Sequence, residues 1–220
     1  MPDGTETTLQ KIIVIGASGH ARVICEAAQL AQYLVFGYLA PEAHDLPDPL
    51  LGDYLGDDDQ LPSLIGQGYQ FCLGVGFVNA AGAVRRRQLL DRLPLDRLPV
   101  IRHPSSMVSP SSNCGAGVFV AAGAVVGTRS EVGPGAIVNT AAIVDHDSHV
   151  GKNTHVSIGV KIAGGVQIGE NCLIGAGAVI LQGMKIGDNA IIGAGAVVLS
   201  NVGQGSTVFG NPARLVADRS

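Results

Sequence analysis

Residues 144–168 read VDHDSH VGKNTH VSIGVK IAGGVQ I when broken every six positions, so that Val or Ile opens each hexad. The same step holds from Val108 through Val120, Val126, Val132 and Val138, and onward through Ile174, Ile180, Ile186 and Ile192 to Val198. Only Cys114 departs from Val or Ile, and nothing is inserted. A small side chain recurs four places after the aliphatic one, as at Ala124, Ala136, Ala142, Ala178, Ala190 and Ala196. Gly or Asn recurs three places after it, as at Gly117, Gly135, Asn153, Gly165, Asn171 and Asn189.

A hexapeptide period with β-branched and turn residues locked in phase specifies a parallel β-helix. The aliphatic residue and the small one two places before it point to the same side of a short strand, hence to the core. Gly or Asn supplies the left-handed backbone of a tight corner. Three hexads close one coil, stacking residues 18 apart at about the 4.8 Å strand spacing. The outward side chains then sort into three faces. Asn113, Glu131, His149, Gln167 and Lys185 form a polar face, expected to meet water. Phe119, Ile137, His155, Leu173 and Ile191 form a second, and Val125, Ile143, Lys161, Val179 and Val197 a third. Two faces this apolar require cover from other subunits or from the rest of the chain. A trimer about an axis parallel to the coils would cover two faces of each prism.

Upstream of the repeat, Lys11-Ile12-Ile13-Val14-Ile15 reads as a buried parallel strand. It leads through Gly16-Ala17-Ser18-Gly19-His20 into a helical pattern carried by Val23, Ile24, Ala27 and Leu30. The first N–H groups of that helix, with its dipole, make an anion site above the loop. The third glycine of a dinucleotide fingerprint is missing, and Ala40-Pro41 stands where an acidic residue would follow the second strand, Val35–Leu39, which argues against a dehydrogenase. Further strands are expected at Gln70–Val75 and Leu98–Ile101, with a helix between them carrying Arg85, Arg86 and Arg87 on a solvated face. The expected organisation is a flexible tail over 1–10, a small Rossmann-like α/β domain over 11–104, a β-solenoid over 105–203 and a C-terminal tail over 204–220.

Composition bounds the function. Aromatic content is 4% with no Trp, and 31 residues are Gly, which suits a core of small and branched side chains. A net charge of -4 gives no electrostatic footprint for nucleic acid or an anionic membrane. No apolar run approaches the roughly 18 residues of a membrane span, and the polar start is not a signal peptide, so a cytoplasmic protein is expected. Cys25, Cys72, Cys114 and Cys172 lack metal-type spacing and read as reduced packing residues; no metal is expected.

The run from Asn139 to His149 breaks the habits of the repeat. Ala141 and Asp147 replace Gly or Asn at consecutive corners, and His146 occupies a corner between Asp145 and Asp147. Flanking carboxylates stabilise a charged imidazole and fix its tautomer, which suits a general base near neutral pH. Gly164 lies 18 residues on, one coil above, where a backbone N–H could stabilise an oxyanion. His149, on the polar face, is not expected to take part.

The Gly16–His20 loop, the Asn139–Asp147 run, His155 and the tail Gly210-Asn211-Pro212-Ala213-Arg214 together resemble the hexapeptide-repeat sugar acyltransferases. These include sialic acid O-acetyltransferase-like proteins and the nucleotide-sugar N-acetyltransferases of bacillosamine and perosamine pathways. The resemblance spans Lys11 to Arg214. It implies a left-handed coil, a homotrimer, a nucleotide-sugar substrate held by Gly16, Ser18, Gly19 and His20, and acetyl-CoA in the groove between neighbouring β-helices. It further implies that His146 takes the proton from the sugar amine, that Asp147 supports it, and that Asn139, His155 and Gly164 line the acetyl site. Two departures stand out: the family more often has Glu after the base, and often an acidic residue where Ala40 stands. The leading expectation is an acetyl-CoA-dependent N-acetyltransferase of glycan biosynthesis, acting by direct attack without an acyl-enzyme. Acetylation of a sugar hydroxyl, or a non-catalytic nucleotide-binding or assembly module, are the alternatives.

Overall fold

A computed structural model of the chain describes residues 9–216. Most of the expected N-terminal tail, residues 1–8, and the last four residues, 217–220, lie outside the described residues.

The N-terminal unit runs β1 (Lys11–Ile15), α1 (Gly19–Leu30), β2 (Leu34–Leu39), β3 (Asp53–Tyr54), α2 (Leu61–Gly66), β4 (Gln70–Leu73) and α3 (Ala80–Asp91). Its sheet is parallel, in the order β3-β2-β1-β4. The unbroken apolar run of β1 follows from cover on both faces. Ile12 and Val14 pack with Ala21, Ile24 and Ala28 of α1, while Ile13 and Ile15 pack with Leu89 and Leu90 of α3.

The expected strand at Leu98–Ile101 is not part of this sheet. A 3-10 turn at Leu95–Arg97 leads instead into β5 (Ile101–Arg102), which pairs with Phe119–Val120 in the solenoid. The repeat thus extends one hexad before Val108. Arg102 occupies the aliphatic phase there, which an end coil tolerates and which hides the repeat from a search for Val or Ile. At the other end, Thr207–Phe209 pairs with Ile191–Ile192 and is itself covered by antiparallel Arg214–Leu215. Strand pairing therefore outruns both 105 and 203.

Between these ends three parallel sheets form the prism walls. Glu131 pairs with His149, Ile137 with His155 and Ile143 with Lys161, each 18 residues apart. The core holds only branched, small and thiol side chains, from Val118 to Val208. Corners demand a left-handed backbone whatever residue occupies them: φ is 57° at Asn153, 55° at Ala141 and 57° at Asp147.

One apolar face is covered within the chain. Phe119 and Ile137 are buried in the same cluster as Ala21, Ile24, Cys25 and Ala28 of α1, so this part of the wall needs no second subunit. On the third face Ile143 remains exposed. The arginine run of α3 also departs from the solvated face expected of it. Arg86 is 1% exposed because it shares the buried stripe of Ala83, Leu89 and Leu90. It donates to the carbonyls of Val75 (2.6 Å) and Gly135 (2.5 Å) and to Asn153 Oδ1 (2.6 Å), joining the two units. Arg87 pairs with Asp91 and Glu170.

Candidate active site

The expected site residues fall into two groups at different places on the prism. The first lies at the corner between the strands Ile143–Val144 and His149–Val150. There the His146 Nδ1–H donates to Asp147 Oδ2 at 2.8 Å, and the His146 amide donates to Asp145 Oδ1 at 2.7 Å. With Nδ1 committed as donor, neutral His146 presents its lone pair on Nε2. The hydrogen bond that His146 donates to Asp147, reinforced by the charge of Asp145, holds the His146 pKa above the usual imidazole value. Asp147 is held below the carboxylate range, first by His146 and then by Arg129.

Gly164 fits this corner because the ring lies on it. A Cβ at Gly164 would sit 2.5 Å from both Cε1 and Nε2 of His146. Among the described residues its N–H has no protein partner, whereas the next amide, of Gly165, is taken by the His146 carbonyl at 2.9 Å. A donor is thus left free beside Nε2. His149 faces elsewhere, lying 3.4 Å from Glu131 on the polar wall.

The second group lines a cleft of about 650 Å³ between the N-terminal unit and the wall of Ile137 and His155. Ser18 borders it from the loop before α1 and His20 from the first turn of α1; Gly76, Phe77 and Val78 from the segment after β4; Asn139, His155 and Phe209 from the solenoid. Gly16 shapes the loop at φ 109°, with its N–H on the Leu39 carbonyl at 2.7 Å. Helix α1 begins at Gly19, where a Cβ would meet nothing within 4 Å.

His155 is locked by partners at both nitrogens. Nδ1–H donates to the Phe77 carbonyl at 3.0 Å, which leaves Nε2 to accept from Asn139 Nδ2 at 3.2 Å. The Asn139 oxygen is engaged in turn by the Thr140 amide at 2.8 Å. Burial pushes the His155 pKa down to about 4, so the ring is neutral. His20 is pushed down to about 3 by burial first and then by the charge of Arg86, and its buried Nε2 has no protein partner. His20 thus stands at the cleft wall as a neutral ring with one orphaned nitrogen.

Phe77, Val78 and Phe209 were not foreseen. Phe77 and Val78 follow β4 without a motif, and Phe209 lies beyond the break at Gln204. His146 is absent from the cleft lining. One copy of the chain does not bring the His146 corner and the His155 cleft together. No group of three His, Cys, Asp or Glu among the described residues is arranged to hold a metal.

A stacked hexapeptide coil bearing a histidine–carboxylate pair at one corner defines a hexapeptide-repeat acyltransferase. Residues 11–92 match the PglD N-terminal domain, residues 147–182 the bacterial transferase hexapeptide (six repeats), and residues 165–200 the hexapeptide repeat of succinyl-transferase. Comparison with curated protein sequences gives no match. Among solved structures, a histidine variant of perosamine N-acetyltransferase from Caulobacter crescentus, in complex with CoA and GDP-perosamine, is 33% identical with a TM-score of 0.84. That alignment covers 94% of this chain and 97% of that one. The acetyltransferase domain of PglB from Neisseria gonorrhoeae, in complex with acetyl coenzyme A, is 35% identical with a TM-score of 0.85, covering 94% and 100%. The chain belongs to the hexapeptide-repeat sugar acyltransferase family, with a left-handed parallel β-helix following its α/β unit.

Proposed function

We propose that the protein transfers the acetyl group of acetyl-CoA to the amino group of a nucleotide-linked amino deoxysugar, working as a homotrimer. The unit over 11–104 takes the nucleotide-sugar and the solenoid over 105–203 carries the transfer. The observation that supports this most is the His146 ring seated on Gly164 with Nδ1–H fixed on Asp147. It aims an unshared pair from Nε2 beside a free backbone donor. The sugar nitrogen attacks the thioester carbonyl, its proton passes to Nε2, and the C–S bond breaks to release CoA as a thiolate, which takes that proton back. The N–H of Gly164 stabilises the carbonyl oxygen as it gains charge.

The relatives' ligands supply the substrate class, since CoA and GDP-perosamine are bound by a protein aligned over 94% of this chain. In this reading Ser18 and the start of α1 take the phosphates, and His20 with His155 and Asn139 face the sugar and acetyl groups, which the shared lining of one cleft supports. A second copy, docking its His146 corner at this cleft, would complete the site. Acetyl-CoA and such sugars meet in cytoplasmic glycan biosynthesis, which is where the reaction belongs. Release of free thiol from acetyl-CoA with a nucleotide-linked amino sugar, and not with its hydroxy counterpart, tests the reading.

Two consequences are measurable separately. Gly19→Leu should raise KM for the nucleotide-sugar and leave KM for acetyl-CoA nearly unchanged, because Gly19 stands between Ser18 and His20, which line the cleft, and a larger side chain meets no obstacle there. An equal rise for acetyl-CoA would contradict that assignment. Val179→Asp, on the apolar wall that the chain leaves open, should shift light-scattering mass from trimer toward monomer, whereas Gln167→Asp on the polar wall should not. Equal behaviour of the two variants would remove the trimer face from the account.

A further inference from the structure

We propose that Arg129 is a positioning residue for the transfer, clamping Asp147 so that its other oxygen orients the His146 imidazole. The proposal rests on reading His146 as the general base. Arg129 lies 18 residues before Asp147, one coil below it in the same corner column. Its Nε donates to Asp147 Oδ1 at 2.7 Å and its Nη2 reaches the same oxygen at 2.5 Å, while Asp147 Oδ2 receives the His146 Nδ1–H at 2.8 Å. The carboxylate is therefore held by one partner on each oxygen, and rotation that would release the imidazole also breaks the guanidinium contact. Arg129 makes no other ion pair among the described residues, and its amide is seated on Ser111 Oγ at 3.2 Å.

The backbone gives an independent reason. Arg129 and Asp147 adopt left-handed φ of 56° and 57°, a conformation that the chain gives to Gly165 and Gly183 higher in the same column. A side chain with a Cβ is disfavoured there, and Arg is a poorer occupant than the Asn used at other corners. What sets these two corners apart is that non-glycine side chains are kept at stacked positions where they meet each other and the base.

The charged groups facing His146 are Asp147, Asp145 and Arg129: the first two favour its protonated form, and Arg129 opposes them. A base must be neutral to accept a proton, so the rate is lost as pH falls through its pKa. Removing the Arg129 charge lets the His146 pKa rise, moving the acid limb of kcat to higher pH. Removing the carboxylate with Asp147→Asn moves it lower. The experiment is the pH profile of kcat and both KM values for wild type, Arg129→Gln, Arg129→Lys, Asp147→Asn and His146→Ala. The Arg129 side chain is 71% exposed, so its variants should fold.

Arg129→Gln should lose kcat several-fold at neutral pH, recover most of it at higher pH, and keep both KM values. Arg129→Lys should keep the wild-type limb, because the charge remains, with a partial loss of kcat from the missing fork. An Arg129→Gln limb superimposed on wild type, with His146→Ala inactive, would overturn the Arg129 role alone. So would a raised KM for acetyl-CoA at unchanged kcat, which would make Arg129 a ligand contact. Full activity in His146→Ala would overturn the general-base reading, and this proposal with it.

Discussion

His146→Ala should lower turnover by about 10² to 10⁴, the usual worth of a positioned general base, while both substrates still bind. The imidazole is 52% exposed and carries no core contact, so the loss should come without unfolding. His149→Ala is the informative control. It lies three residues away but belongs to the polar wall, paired with Glu131, and its removal should cost little. His155→Ala should fall between the two. Its neutral ring joins Phe77 of the N-terminal unit to Asn139 of the solenoid, so its loss should loosen the cleft rather than remove a proton acceptor. A His149 variant as inactive as the His146 variant, with the trimer intact, would be incompatible with the two histidines lying on different surfaces.

Gly164→Ala should be nearly as damaging, for a steric reason. The added methyl carbon would lie 2.5 Å from Cε1 and Nε2 of His146, so the ring must move off the corner. Displacing a catalytic group by about 1 Å can cost 10²-fold, and a loss of that size in kcat is expected. Gly165→Asn is the matched control. Gly165 is in the left-handed conformation that the corners at Asn153, Asn171 and Asn189 adopt with Asn, and a Cβ there would meet nothing within 4 Å. Its activity should stay near wild type. Stopped-flow or steady-state thiol release on the two variants, with melting curves to compare fold stability, distinguishes a moved base from a weakened coil.

The division between what the residues revealed and what they hid has a physical pattern. The solenoid was legible because each coil repeats one set of contacts 18 residues on, so a single step fixed core, corners and walls from Val108 to Val198. His146 and Asp147 stood out against that regularity. Arg129 breaks the same corner rule one coil below, but a lone surface arginine has no distinguishing company in sequence. Contacts between the two units were not legible. Arg86 looks like its neighbours Arg85 and Arg87 until α3 docks on Gly135 and Asn153. Nothing about Ile137 says whether another subunit or the chain itself covers it until α1 does so, and Phe77 gains its role only by holding His155. The strand at Ile101–Arg102 was missed because Arg102 stands at an aliphatic phase that the end coil does not need to fill.

The central claim is acetyl transfer to nitrogen on a nucleotide-linked sugar. Its most direct test is to incubate the protein with acetyl-CoA and a panel of UDP-, GDP- and dTDP-linked amino sugars, follow free thiol, and treat each product with hydroxylamine. The account predicts thiol release only when an amino sugar is present, with one nucleotide favoured and a product whose acetyl group resists hydroxylamine as an amide does. Thiol release giving a hydroxylamine-labile ester, or equal release with the corresponding hydroxy sugars, would contradict it.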